Sequence, residues 1–200
     1  MRATTRSRRP IAIGPRRRTG RGSSGSRCWR RSSRTAEVLE LGCGAGVPVT
    51  RRLAARHRVT GVDLSGRQVE LARENVPGAV FAHADALAVE LPAAAFDAVV
   101  CLYMSGHVPR AEQPELLHRI AGWLRPGGHL LMTLTGGGSD GVIEDDWLGA
   151  PMFFAGDDAD TNLARIRSSG FEVLRAEVVP QLEFGEEARF LWVLARRAGS

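Results

Sequence analysis

The segment Glu40-Leu-Gly-Cys-Gly-Ala-Gly46 constrains this chain more than any other. Glycines at 42, 44 and 46 let a backbone turn tightly and let a ligand approach it without side-chain obstruction. Residues 37–41 before it read as a short buried strand, and residues 49–57 after it have helical spacing. A strand, a glycine turn and a helix in that order aim the helix's first amides at a ligand held by the turn. A second strand over residues 58–62 ends at Asp63, 21 residues after Gly42. A carboxylate there can accept hydrogen bonds from both hydroxyls of a ribose, so turn and acid together point to a nucleoside-containing cofactor.

A nicotinamide dinucleotide is the obvious competitor. Its fingerprint needs Gly or Ala at a position that here holds Val47. Glu40, just before the turn, would repel phosphates and attract an ammonium or sulfonium group. These residues favour S-adenosylmethionine.

Beyond the second strand the pattern keeps alternating. Ser65 is placed to cap a helix running to about Asn75, with Pro77-Gly78 after it. Residues 79–82 and 97–103 read as third and fourth strands, residues 114–124 as a helix closed by Pro126-Gly127-Gly128, and residues 129–135 as a fifth strand. Five strands alternating with helices predict a parallel sheet covered on both faces. Residues 160–169 read as a further helix capped by Gly170. Residues 171–179 and 188–195 read as two last strands joined around Gly185-Glu186-Glu187, able to pair as an antiparallel hairpin.

Val38-Leu-Glu-Leu-Gly-Cys-Gly-Ala-Gly46 resembles the first motif of class I S-adenosylmethionine-dependent methyltransferases of the small-molecule type. Gly61-Val-Asp-Leu-Ser65 resembles their ribose-binding turn, and Ala82-His-Ala-Asp-Ala86 the segment whose acid recognises adenine. Phe96-Asp-Ala-Val-Val100 and Leu124-Arg-Pro-Gly-Gly-His-Leu130 resemble the fourth strand and the approach to the fifth. The resemblance spans residues 36–197. It implies a Rossmann-like three-layer α/β sandwich with a seven-stranded, mostly parallel sheet of order 3-2-1-4-5-7-6, strand 7 antiparallel. It also implies roles for single residues. Glu40 would meet the cofactor's ammonium directly or through water, and the backbone at Gly42, Gly44 and Gly46 would pack against its methionine part. Asp63 would hold the ribose with Leu64 against the adenine. Asp85 would accept from the adenine amine and Ala86 donate to a ring nitrogen, or Asp85 would simply cap a turn. Leu102 and Tyr103 would border the methyl group.

Methyl transfer from a sulfonium needs in-line positioning above all, and a base only where the acceptor must lose a proton. His107, in the loop after the fourth strand, is the candidate catalytic base; packing in that loop is the alternative. His57, His83, His118 and His129 read as structural. Gly136-Gly-Gly-Ser-Asp-Gly141, followed by acids and then Trp147, Met152, Phe153 and Phe154, suits a substrate-covering loop; a solvated acid run beside an aromatic core patch is the equal alternative. Asp157-Asp-Ala-Asp160 reads as acidic capping of the next helix, and no spacing demands a metal.

Charge is unevenly placed. Residues 1–34 hold twelve arginines and no acid, which leaves fifteen basic against twenty-two acidic residues from Thr35 onward. The first 34 residues are expected to be a disordered, Arg-rich tail, and residues 35–200 the methyltransferase domain. Such domains usually carry one or two helices ahead of the first strand; residues 1–34 lack an amphipathic pattern, so an open site and weak turnover are expected. Three cysteines without a CxxC pair predict no disulfide framework and a reducing compartment, and no apolar run is long enough for a membrane span, so the expected location is the cytoplasm. The expected function is methylation of a small-molecule acceptor. The alternatives are a noncatalytic or impaired S-adenosylmethionine-binding protein, and a nucleic-acid methyltransferase using the Arg-rich tail. The acidic balance of the domain argues against the last.

Overall fold

A computed structural model describes residues 35–147, 149–183 and 186–199, with Glu186 described in its backbone alone. The Arg-rich segment 1–34 lies outside the described residues. The chain forms β1 (Glu37–Leu41), α1 (Val49–Ala54), β2 (Arg58–Asp63), α2 (Gly66–Asn75), β3 (Val80–His83) and β4 (Phe96–Cys101). A 3₁₀ turn (Ser105–His107), α3 (Gln113–Trp123), β5 (Leu124–Thr135), β6 (Ser139–Trp147) and β7 (Ala150–Gly156) follow. The chain closes with α4 (Ala159–Ser168), β8 (Phe171–Glu183) and β9 (Glu186–Arg197).

Seven strands form one sheet in the order β3-β2-β1-β4-β5-β9-β8. β1 to β5 pair in parallel, and β9 runs antiparallel to both β5 and β8. The strands read sixth and seventh from the sequence are β8 and β9, so the expected arrangement holds with two strands added to the count. Those two, β6 and β7, form a separate antiparallel pair.

Alternation along the strands builds the layers. On β1, Leu39 and Leu41 point to one face and Val38 and Glu40 to the other. Leu39 and Leu41 join Leu116, Leu117, Ile120 and Trp123 of α3 and Ile166 of α4 in the main core. Val38, Val59 and Val100 pack with Val49 and Leu53 of α1 on the opposite face, where Val69 and Ala72 of α2 also lie with Phe81. Both faces of the central strands are therefore covered, which is why β1 reads as a continuous apolar run interrupted only by Glu40.

The capping expectations hold in detail for two helices. Ser65 Oγ accepts from the Gln68 N–H at 3.4 Å at the start of α2. Asp158 accepts from the Thr161 N–H at 2.9 Å at the start of α4. Asp157 departs from its expected role: instead of capping it is buried, ion-paired with Arg110 and Arg165. The stretch expected as a loop, residues 136–154, also departs, since most of it is the β6–β7 hairpin. No helix among the described residues is long and apolar enough to cross a membrane.

Candidate active site

The glycine turn rises directly from the carboxyl end of β1. Gly42 has φ +71°, and a Cβ there would sit 2.7 Å from Met104 Cβ, so only glycine fits beneath the segment that follows β4. Gly46 (φ +75°) meets Ala72 and Val76 in the same way, letting the turn lie against α2. Gly44 also lies in the left-handed region, at φ +52°.

Asp63 ties this turn to the next one. Its Oδ2 accepts from the Gly44 N–H at 2.8 Å and its Oδ1 from the Ser65 N–H at 2.9 Å. A carboxylate has about four acceptor positions, so two remain for hydroxyl donors. Leu64, between these anchors, is 71% exposed, an apolar side chain left uncovered at the sheet's carboxyl edge. Its carbonyl is held by His83 Nε2 at 3.0 Å, which gives that histidine a positioning contact beside the turn.

Glu40 is 4% exposed. Its Oε2 accepts from the hydroxyl of Thr50, itself buried on α1, at 2.6 Å. Burial pushes the Glu40 carboxyl up to about 7; the Thr50 hydrogen bond opposes the shift and the Asp63 charge adds to it. Burial likewise pushes the Cys43 thiol up to about 12, so it is a packing group rather than a nucleophile.

Asp85 and Ala86 follow β3. Asp85 is exposed and its Oδ1 accepts from the Leu87 N–H at 2.8 Å, so the turn-capping alternative is realised. That bond occupies one oxygen. Leu102, just past β4, is half-buried against the Val38–Val59–Val100 cluster.

On the other side of Leu102 the edge becomes aromatic. Tyr103 adopts φ +56°, a conformation that costs a bulky residue roughly 1–3 kcal/mol. The Thr133 hydroxyl accepts its N–H at 2.6 Å, Gln181 holds its hydroxyl at 2.8 Å, and Phe190 and Trp192 pack edge-on at 5.0 and 5.8 Å. His107 sits in the 3₁₀ turn with Nδ1 2.9 Å from the Phe153 carbonyl and its ring 4.8 Å from Phe154. A carbonyl only accepts, so Nδ1 donates in this bond and Nε2 is the ring nitrogen not engaged by Phe153.

Residues 38–128 match a family model described as a methyltransferase domain. Over those residues, just under half of the chain, it is similar to a methyltransferase domain. It is 36% identical over 102 residues to 27-O-demethylrifamycin SV methyltransferase of Amycolatopsis mediterranei, which covers 48% of this chain and 37% of the relative. Several such curated relatives are matched over less than half of their length. Among solved structures, an S-adenosylmethionine-dependent methyltransferase from Methanosarcina mazei superposes with a TM-score of 0.74 at 16% identity, covering 83% of this chain and 94% of that one. The Burkholderia thailandensis 1,6-didemethyltoxoflavin-N1-methyltransferase, solved with 1,6-didemethyltoxoflavin and S-adenosylhomocysteine, gives 0.63 at 22% identity, with coverage of 82% and 72%. The fold is therefore the Rossmann-like class I methyltransferase fold.

Glu40, the three glycines, Asp63 and Leu64 gather at one end of the β1–β2 edge, with Asp85 and Ala86 after the neighbouring β3. Leu102 and His107 lie past the end of β4. Thr50, Met104, Thr133 and Gln181 escaped the sequence reading. Thr50 was findable in principle, since a buried acid at the end of a strand calls for a donor on the covering helix. Gln181 was not, because its partner Tyr103 is 78 residues away.

Proposed function

We propose that this domain binds S-adenosylmethionine across the β1–β2 edge and transfers its methyl group to a small-molecule acceptor at the aromatic edge beside it. The observation that carries the reading is the Asp63 carboxylate, fastened to both the glycine turn and the Ser65 turn with acceptor capacity to spare. Uncovered Leu64 beside it offers an apolar surface for a flat base, and buried Glu40 offers negative charge for an ammonium. These residues fit the cofactor. Asp85 and Ala86 are placed for the adenine edge, and Leu102 for the boundary with the acceptor.

When bound, S-adenosylmethionine supplies a methyl group on an already activated sulfonium. The chain's own contribution is then positioning. Asp63 orients hydroxyls, the glycine backbone sets the approach, Tyr103 borders the acceptor side, and His107 Nε2 can take a proton from the acceptor. The relatives' names support a small-molecule acceptor. Incubation with methyl-labelled S-adenosylmethionine and a pool of small metabolites tests the proposal: label should pass to a low-molecular-weight product and should fail to do so with Asp63→Asn. Cofactor binding with no label transfer to any acceptor would make the domain a binding protein instead.

A further inference from the structure

Thr133 interrupts the apolar run Leu130-Leu-Met-Thr-Leu134 near the carboxyl end of β5, and it is 1% exposed. Met132 and Leu134 on either side of it join the main core. Alternation along the strand therefore turns Thr133 to the opposite face, where strand pairing sets it against Trp192. A hydroxyl buried among apolar neighbours needs a hydrogen-bond partner. Thr133 Oγ1 finds one in the segment after β4, where it accepts from the Tyr103 N–H at 2.6 Å. Its carbonyl accepts from the hydroxyl of Ser105, also buried, at 2.7 Å. Thr133 thus grips the chain on both sides of Met104.

Met104 in turn rests on the glycine turn. Its Cβ and Cγ would lie 2.7 and 2.8 Å from a Cβ on Gly42, and its carbonyl accepts from the His107 N–H at 2.9 Å. Tyr103, just before it, holds the left-handed conformation at φ +56°, which a bulky residue keeps only where its surroundings hold it there. Those surroundings are specific. Thr133 takes its N–H, Gln181 donates to its hydroxyl oxygen at 2.8 Å, and Phe190 and Trp192 pack against its ring. One continuous set of contacts therefore runs from the hydroxyl on β5, through Tyr103, to Met104 and the backbone of Gly42.

We propose, resting on the cofactor reading above, that Thr133 is a positioning residue for the amino-acid end of S-adenosylmethionine. By holding Tyr103 and Ser105 it keeps Met104 against Gly42, and the glycine turn receives that end of the cofactor in this arrangement. Without the hydroxyl the Tyr103 N–H loses its acceptor, the left-handed backbone relaxes, and Met104 leaves Gly42 in most molecules. Affinity then falls in proportion to the fraction that keeps the competent arrangement. The nucleoside end depends on other contacts. It lies on Asp63 and Leu64, and Asp63 is fastened to the Gly44 and Ser65 amides rather than to Thr133.

Calorimetry with two probes separates positioning from a general effect on the fold. S-adenosylhomocysteine carries the amino-acid end; methylthioadenosine keeps the adenine, ribose and sulfur and lacks it. Thr133→Val removes the hydroxyl at nearly constant volume. It should weaken S-adenosylhomocysteine binding about tenfold, the scale of one buried hydrogen bond, and leave methylthioadenosine binding unchanged. Thr133→Ser keeps an acceptor and should restore the parent affinity; this rescue decides where methylthioadenosine binds too weakly to titrate. Tyr103 is the chain's one tyrosine, so ring-labelled tyrosine gives a single NMR signal, which should move in Thr133→Val and return in Thr133→Ser. Ser105→Ala removes the companion bond, should give the same split between probes, and stands in if Thr133→Val does not fold. Unchanged S-adenosylhomocysteine affinity in Thr133→Val, an equal loss with both probes, or a Thr133→Ser as weak as Thr133→Val overturns the proposal. A parent chain that binds neither probe overturns the cofactor reading, and this one with it.

Discussion

Glu40 combines two opposed demands in one carboxyl. Its value near 7 in the folded protein lies above the ordinary 4.5, so between those pH values the folded chain holds a proton that the unfolded chain has released. Stability should therefore fall as pH rises from about 4.5 to about 7, by up to about 3 kcal/mol. Glu40→Gln should flatten that profile in thermal unfolding, because the amide oxygen can still accept from Thr50. Cofactor affinity should move the other way. The charged carboxylate attracts an ammonium, so binding of S-adenosylmethionine should strengthen between pH 6 and pH 8 in the parent chain. In Glu40→Gln, calorimetry should show weaker binding without that rise. Glu40, Asp63 and the glycines were legible because they lie in two short segments whose spacing carries the chemistry. Gln181 was hidden, since it comes to Tyr103 only through the pairing of β8 with β9.

The β6–β7 hairpin shows where element-scale reading stops. β6 is exposed along nearly all its length. A strand with no buried face has no apolar alternation to betray it, so its glycines and acids read as a loop. What holds the hairpin is equally remote in sequence. Arg110 reaches Asp140 on β6 and, at 2.5 Å, Asp157 just past β7, while Arg165 of α4 pairs with the same Asp157, which is 4% exposed. Asp157→Ala should lower stability by about 2–3 kcal/mol, the lower end for a broken buried pair because both arginines keep access to water. Denaturant unfolding measures it. Arg110→Ala should act locally: amide exchange should quicken across Val142–Phe154 and stay unchanged in β1 and β4. The parallel core was legible because β1 and β4 are apolar runs buried on both faces and α2 between them opens on the Ser65 cap.

At the scale of the whole molecule, charge and fold occupy different stretches of the chain. The isoelectric point of about 10.3 comes from twelve arginines ahead of Thr35, whereas the residues that form the sheet carry an acidic excess. A chain beginning at Thr35 should keep its unfolding temperature and its S-adenosylhomocysteine affinity while its isoelectric point drops below 7. Isoelectric focusing beside thermal unfolding reads both. The central claim is that a nucleoside cofactor lies across Asp63 and Leu64. Leu64 tests it most directly, because an exposed side chain can be changed without cost to the fold. The decisive measurement is calorimetric titration of S-adenosylhomocysteine into the parent chain and Leu64→Ser. Binding by the parent, weakened roughly tenfold or more in the variant at an unchanged unfolding temperature, is the expected result. Equal affinity in the two chains, or none in the parent, would contradict the account.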